Sequence, residues 1–394
     1  MLSFSDTQIA FAYRSNQELR KAKFLFAVLS WPILVKIGQI LITIAIKLRL
    51  PIAWIVKPTI FKQFIGGETL VESIPVVRNL KKYNVNSILD YSVEGQENEE
   101  SHRNAYSEIL RSIENAKGAP AITFVVFKPT GLINVCILEK VSNGKPLSDE
   151  EQQKYSIFKE RIENLCQAAS DVDKPLLIDA EDSWYQKALD DICHEMMKKF
   201  NSNKALVYNT LQMYRKDRLD FLNYSHGLAI EYGYILGIKF VRGAYMEKER
   251  ERALKLGYPS PIQNSKVDTD NAFNAALEFS INNLNRISIF CGTHNEESVK
   301  LLVSLMEKSG IKPNDLRITF SQLYGMSDNI SFNLANAGYN VAKYIPYGPV
   351  KFVMPYLFRR TQENTSVKGQ TNRELILIKQ ELKRRRHQLN SQNH

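Results

Sequence analysis

The chain has little cysteine, and none of it is paired. Cys136, Cys166, Cys193 and Cys291 are far apart and form no CxxC. This argues against a disulfide framework or a cysteine-rich zinc site, and for partly buried thiols in a reducing compartment. Glycine is scattered: no two glycines are separated by a single residue, so GxGxxG cannot occur, and GxxxxGK is absent. The usual nucleotide cradles are therefore missing. HExxH and GxSxG are missing too, and of the six histidines only His294 ends a predicted strand. Neither a paired-histidine metal site nor a serine triad is supported. Long apolar runs are lacking as well. The uncharged stretches FLFAVLSWPILV, IGQILITIAI and LPIAWIV are 12, 10 and 7 residues long, interrupted by Lys36, Lys47 and Arg49. A spanning helix needs about 20 apolar residues, so these predict helices packed on the main body or lying against a bilayer surface, packing being the first expectation. The start MLSFSDTQIAFAYRS has no basic segment followed by an apolar run. No secretory signal is expected, and a cytoplasmic location is, with at most a peripheral contact at the inner face of the membrane.

What is present is ordinary in composition. The 394 residues are 44% hydrophobic and 24% charged, and 52 Lys+Arg against 42 Asp+Glu leave a net charge of +10. That length holds one large α/β barrel or two ordinary domains. Part of the basic excess is the run KQELKRRRHQ at 379–388. Such a run is a solvated helix end or a surface for anionic membranes. Without an RNP, zinc-finger or helix-turn-helix pattern, no nucleic-acid partner is expected.

From residue 85 a rhythm appears. Short apolar or β-branched runs alternate with amphipathic stretches: NSILDYS (86–92), AITFVVFK (121–128), KPLLIDA (174–180), ALVYNTLQMY (205–214), GIKFVRGAY (237–245), SIFCGTHN (288–295), RITFSQLYG (317–325) and YNVAKYIPYG (339–348). Between the first two, Tyr106, Ile109, Leu110 and Ile113 keep helical spacing; Ser148 with Glu151 makes a capping box opening the next helix. Eight strand–helix units predict a (β/α)8 barrel of the TIM type, distorted, with a doubly wound sheet as the competitor. The expected organisation is a helical arm at 1–84, the barrel at 85–372, and a basic helix or tail at 373–394.

In a barrel the C-terminal strand ends carry the chemistry. Those ends supply Asp90, Lys128, Asp179, Gln212, Lys239, Arg242, Tyr245, Thr293, His294, Asn295, Gln322 and Tyr344. Beyond the last strand, MPYLFRRTQEN puts Tyr356, Arg359, Arg360 and Glu363 at i, i+3, i+4 and i+7, one face of a helix. That face either meets water or grips an anion, for which arginine's bidentate fork is suited. Acid–base candidates are few, so the chemistry is read as borrowed from a cofactor that composition and spacing do not name.

The motifs resemble those of proline dehydrogenases, flavoenzymes that oxidise L-proline to Δ1-pyrroline-5-carboxylate. YxxRRxxEN is present as Tyr356, Arg359, Arg360, Glu363 and Asn364, preceded by YIPYG and, in the family's order, by FIGGET (64–69), LIDAED (177–182), VRGAY (241–245), GTHN (292–295) and LYGM (323–326). The likeness runs from about residue 58 to 372. It implies that Arg359, Arg360 and Lys128 hold the proline carboxylate, and that Tyr344, Tyr356 and Leu323 pack around the ring. Asp179 and Lys239 are the implied catalytic residues, Asp179 positioning Lys128. FAD would be lined by Ala180, Gln212, Lys239, Gly243, Ala244, Tyr245, Thr293, His294, Arg360 and Glu363, and would take hydride from proline C5 at its N5. The electrons would pass to a quinone. Several bacterial members carry Arg where this chain has Lys239, which keeps the charge but not the planar fork. Tyr344 would crowd a 4-hydroxyl, so proline is expected over hydroxyproline, a hydroxyproline dehydrogenase being the alternative. A barrel that has lost catalysis, or a lyase using Lys128 as a Schiff base, are weaker readings. No second catalytic domain is seen after 372, so a separate pyrroline-5-carboxylate dehydrogenase is expected to take the product.

Overall fold

The computed structural model describes residues 2–92, 98–366 and 370–392, with the side chains at 362–366, 370–372 and 392 outside the description. All eight apolar runs form strands: β1 Asn86–Tyr91, β2 Ile122–Phe127, β3 Leu176–Ile178, β4 Val207–Gln212, β5 Leu236–Val241, β6 Ile287–Gly292, β7 Ile318–Leu323 and β8 Val341–Tyr347. They close into a barrel in sequence order, which decides for the (β/α)8 fold over the doubly wound sheet. Parallel register is set by pairs such as Phe127 with Ile178, Thr210 with Lys239 and Lys239 with Phe290.

The connecting helices follow their signals. Tyr106, Ile109 and Ile113 lie on the helix Glu99–Ala116, with Ile109 and Ile113 buried. Ser148 and Glu151 form the expected reciprocal cap of the helix Asp149–Asp171.

The chain divides into two compact units, one of Met1–Ser87, Ser92–Gly95 and Gln322–His394, the other of Ile88–Tyr91 and Gln96–Ser321. In the second unit Phe124 packs edge-on against Tyr208 and Phe290, with ring centroids 5.5 and 5.0 Å apart. Strands buried on both faces explain why their sequences read as apolar runs rather than alternations. Three of the cysteines are buried there and Cys136 is exposed. Burial pushes the Cys291 thiol up to about 12.

In the first unit the helix Asn16–Leu29 buries Leu19, Ala22, Phe26 and Leu29. They join a core with Phe61, Phe64, Val353, Met354 and Leu357. The next helix, Pro32–Lys47, buries only Val35. Gln39 ties it to Thr361 at 2.8 Å, while Trp31, Ile33, Leu34, Ile37, Ile40, Leu41 and Ile44 stay exposed. Packing therefore holds for the first N-terminal helix and only one side of the second. The basic run is also partly committed: Arg384 and Arg385 both pair with the buried Glu381, and Arg385 caps the carbonyls of Phe11 and Arg14.

Candidate active site

Four strands of the second unit bring charged side chains together at and beyond their C-terminal ends. Lys128, just after β2, donates to Asp90 of β1 at 2.9 Å and to Asp179, just after β3, at 3.4 Å. The other oxygen of Asp179 receives Lys239 of β5 at 2.5 Å. Asp90, Asp179 and Lys239 are buried and Lys128 is nearly so. Two lysines thus alternate with two carboxylates, Asp179 in the centre. Burying such ions is tolerable only when each is paired. The arrangement fixes both ammonium groups in place. The Asp179 amide is held as well, donating to Phe127 O at 3.1 Å.

Neighbouring side chains are built in layers around this row. Gln212, buried at the end of β4, donates to the carbonyl of Glu181 at 2.5 Å. The Glu181 carboxylate accepts from the Thr130 hydroxyl at 2.7 Å and amide at 3.1 Å, bracing the segment after Lys128. Arg242 follows β5 and reaches Asp270 at 2.7 Å, Thr293 at 2.6 Å and Ser298 at 2.9 Å. Burial opposes ionisation of Asp270, yet Lys266 and Arg242 hold its carboxyl below the usual range. Gly243 has φ 127°, and a Cβ there would lie 2.5 Å from the Tyr214 ring. Gly243 and Ala244 are exposed, while Tyr245, His294 and Ala180 are half-buried.

The first unit carries the remaining predicted residues. Tyr344 is buried on β8, and its carbonyl accepts the Tyr324 amide at 2.9 Å. Leu323 closes β7 and is half-buried. Tyr356, Arg359 and Arg360 lie on the helix Val350–Ser366. Tyr356 and Arg360 are buried, the guanidinium carbon 4.9 Å from the Tyr356 ring centroid, and Arg359 is half-buried. That geometry is a cation–π contact, and the face they define is not simply solvated. Glu363 and Asn364 are on the same helix, but their side chains lie outside the described residues.

The sequence reading put Asp90 at the end of the first strand without giving it a role, and missed Glu181, although LIDAED contains it. It also missed Lys343, buried in the apolar run VAKYIPY of β8. A lone lysine inside such a run was a readable signal, as Lys239 in GIKFV was, because a buried ammonium needs a partner.

The residues lining β3 to β6 fit an extended flavin nucleotide. They supply amide, hydroxyl and cationic side chains from adjacent strand ends, and at Gly243 the backbone passes so close to the Tyr214 ring that a Cβ would lie 2.5 Å from it. A closed (β/α)8 barrel with paired ionic side chains at its strand ends belongs to the class of barrel enzymes. A sequence model of the proline dehydrogenase family matches residues 74–373, and the chain belongs to that family, oxidoreductases acting on proline. It is 32% identical to proline dehydrogenase 1, mitochondrial, of Dictyostelium discoideum, over 96% of this chain and 74% of that protein. It is 31% identical to a hydroxyproline dehydrogenase of Xenopus laevis, over 98% of this chain and 90% of that protein. Among solved structures, proline utilization A (PutA) of Bdellovibrio bacteriovorus superposes with a TM-score of 0.71 at 21% identity. The match covers 80% of this chain but only 34% of that one, so this chain spans about a third of its length.

Proposed function

We propose that this chain oxidises L-proline to Δ1-pyrroline-5-carboxylate with bound FAD, as the first step of proline degradation to glutamate. The observation that carries the reading is Asp179 held between Lys128 and Lys239 in a member of the proline dehydrogenase family. FAD, when bound, would supply the two-electron oxidation, a hydride transfer from proline C5 to its N5 with a quinone as the onward acceptor. The protein's own groups bind and orient. Arg359, Arg360 and Lys128 take the substrate carboxylate, the arginines by bidentate hydrogen bonds. Asp179 is a positioning residue for Lys128 and, through its other oxygen, for Lys239. Leu323, Tyr344 and Tyr356 surround the ring and exclude water. Gln212, Lys239, Gly243, Ala244, Tyr245, Thr293 and His294, with Ala180, Arg360 and Glu363, hold the cofactor. We assign 85–372 to the catalytic barrel, 1–84 to a helical arm and 373–394 to a terminal helix.

A hydroxyproline dehydrogenase is the second reading, favoured by the Xenopus laevis relative. Tyr344 opposes it, since its ring would crowd a 4-hydroxyl. The product, a cyclic imine that opens to an aldehyde, is a substrate for a pyrroline-5-carboxylate dehydrogenase activity. We place the chain in the cytoplasm, with the exposed face of the helix Pro32–Lys47 as its peripheral contact with the inner face of the membrane.

The visible spectrum of the purified protein, before and after anaerobic addition of L-proline, tests the reading. A flavin band that bleaches with L-proline and far less with trans-4-hydroxy-L-proline supports it. Bleaching only with hydroxyproline selects the second reading, and a colourless protein that takes up no FAD overturns both.

A further inference from the structure

The segment from Leu323 to Asp328 is held by charged and polar side chains from distant parts of the first unit. Asp328 is buried; its carboxylate lies 3.0 Å from Arg14 Nη2 and 2.9 Å from Lys343 Nζ, and accepts the Tyr13 hydroxyl at 2.7 Å. Lys343, fully buried in the middle of β8, also donates to the carbonyls of Met326 and, at 3.4 Å, of Leu323. Glu374, from the C-terminal helix Gln370–Gln392, accepts the Ser327 amide. Gln63 donates to Gly325 O at 2.7 Å and accepts from Arg14 Nη1 at 3.1 Å. Tyr324, between them, donates its amide to Tyr344 O at 2.9 Å.

The backbone here does not take its shape unaided. Ser327 has φ 50° and Gly325 φ 79°, both in the left-handed region. A Cβ on Gly325 would lie 1.9 Å from Gln63 O. Burying Arg14, Asp328 and Lys343 together costs several kcal/mol per ion in desolvation, and an apolar core of equal volume would be as stable. What the ions add is direction: each hydrogen bond is satisfied in one arrangement only.

Both ends of the clamped segment bear on residues of the proposed pocket. Leu323 begins it, and Tyr344 is the neighbour of Lys343 on β8. We propose that Asp328, through Lys343, Arg14 and Tyr13, is a positioning residue that sets the spacing of Leu323 and Tyr344 and with it the discrimination between proline and 4-hydroxyproline. This rests on the proposed function and deepens it: the specificity of the pocket is set from behind it, by a clamp that joins the N-terminal arm and the C-terminal helix to β7 and β8.

The test is steady-state kinetics of flavin-loaded Asp328→Asn and Tyr13→Phe with L-proline and trans-4-hydroxy-L-proline. Misplaced positioning groups cost rate or binding by factors of about 10 to 100. Asp328→Asn is expected to raise the L-proline KM about tenfold while kcat falls little, and to raise the hydroxyproline-to-proline ratio of kcat/KM. Tyr13→Phe removes one hydroxyl and should move both quantities the same way by a smaller factor, which keeps the test open if Asp328→Asn does not fold. A merely structural role would lower the melting temperature and leave KM and the ratio unchanged in the folded, flavin-loaded fraction. Unchanged values in both variants beside an active wild type overturn this inference alone. A wild type silent toward both substrates overturns the functional reading, and this inference with it.

Discussion

Arg359 and Arg360 are neighbours in sequence but not in environment. Arg360 is buried against the Tyr356 ring, 4.9 Å from its centroid, whereas Arg359 is half-buried. Arg359 can therefore be changed with less damage to the fold, and it is the cleaner probe of carboxylate binding. A hydrogen bond to a charged group contributes about 1.5–3 kcal/mol, or roughly 10- to 150-fold in affinity. Arg359→Met should raise the L-proline KM within that range while bound flavin stays mostly intact. An unchanged KM returns the residue to a solvated role. Gly243 offers the complementary probe. A side chain there meets both φ 127° and the Tyr214 ring at 2.5 Å, and backbone strain of this kind costs about 1–3 kcal/mol. Gly243→Ala should lower the flavin-to-protein absorbance ratio of the purified protein with little change in helical circular dichroism. Full flavin content would remove Gly243 from the cofactor site.

At the scale of the element, the helix Pro32–Lys47 is the anomaly. Trp31, Ile33, Ile37, Ile40, Leu41, Ile44, Leu48, Leu50 and Trp54 are exposed within one short stretch, and large exposed apolar patches mark interaction surfaces. No acidic residue occurs from 19 to 67, while Arg20, Lys21, Lys23, Lys36, Lys47, Arg49, Lys57 and Lys62 do. All eight cations are exposed, and Lys57 pairs with Glu68. Among the described residues no single helix is long and apolar enough to cross a membrane. The helices Asn16–Leu29 and Pro32–Lys47 meet that test only as a pair bent by 96°. An apolar face flanked by cations and by tryptophans suits the surface of an anionic bilayer, where each nearby cation contributes about 1 kcal/mol. Co-sedimentation should show binding to anionic vesicles, weaker binding to zwitterionic ones, and loss with added salt. Trp31→Ser with Trp54→Ser should reduce it, and binding unchanged by these substitutions, or indifferent to lipid charge, would count against the surface.

At the scale of the whole molecule, the buried clamp makes stability depend on pH. Burial, and then the Asp328 carboxylate, push Glu374 up to about 7, against the Ser327 amide, Lys343 and Arg14, which favour its ionised form. An unfolded glutamate titrates near 4.3, so between about pH 4.5 and 7 the folded state holds a proton that the unfolded state has released. Stability from this group is therefore present at acid pH, falls as pH rises through that window, and levels off above it. Asp328 is shifted the other way, since Lys343 and Arg14 outweigh its burial. Its contribution is lost only as pH falls below the ordinary carboxylate range. Glu374→Gln should flatten the slope between about pH 5 and 7, as read from urea midpoints across that span. A wild type whose midpoint does not decline there would show Glu374 ionised throughout.

Much of this was legible in the sequence because it is local. Eight apolar runs, each of strand length and each followed by a helical spacing, determine strands and helices through backbone geometry and burial, and Ser148 with Glu151 marks a helix start by its own hydrogen bonds. The motifs around Asp179, Gly243, Thr293 and Arg359 resemble those of the family whose sequence model matches residues 74–373, and such short motifs are readable because each is contiguous in the chain. Tertiary structure alone decided what depends on residues meeting across the chain. It selected the closed barrel over the open sheet, since strand order is a property of pairing and not of any one strand. It set Lys239 against Asp179, 60 residues apart, and Arg385 against the carbonyls of Phe11 and Arg14. It buried one face of the second N-terminal helix and left the other bare. Nor could periodicity disclose that Tyr13, Arg14, Lys343 and Glu374 converge on one segment. Their charges are ordinary in sequence and become costly, and hence informative, only once folding removes the water around them.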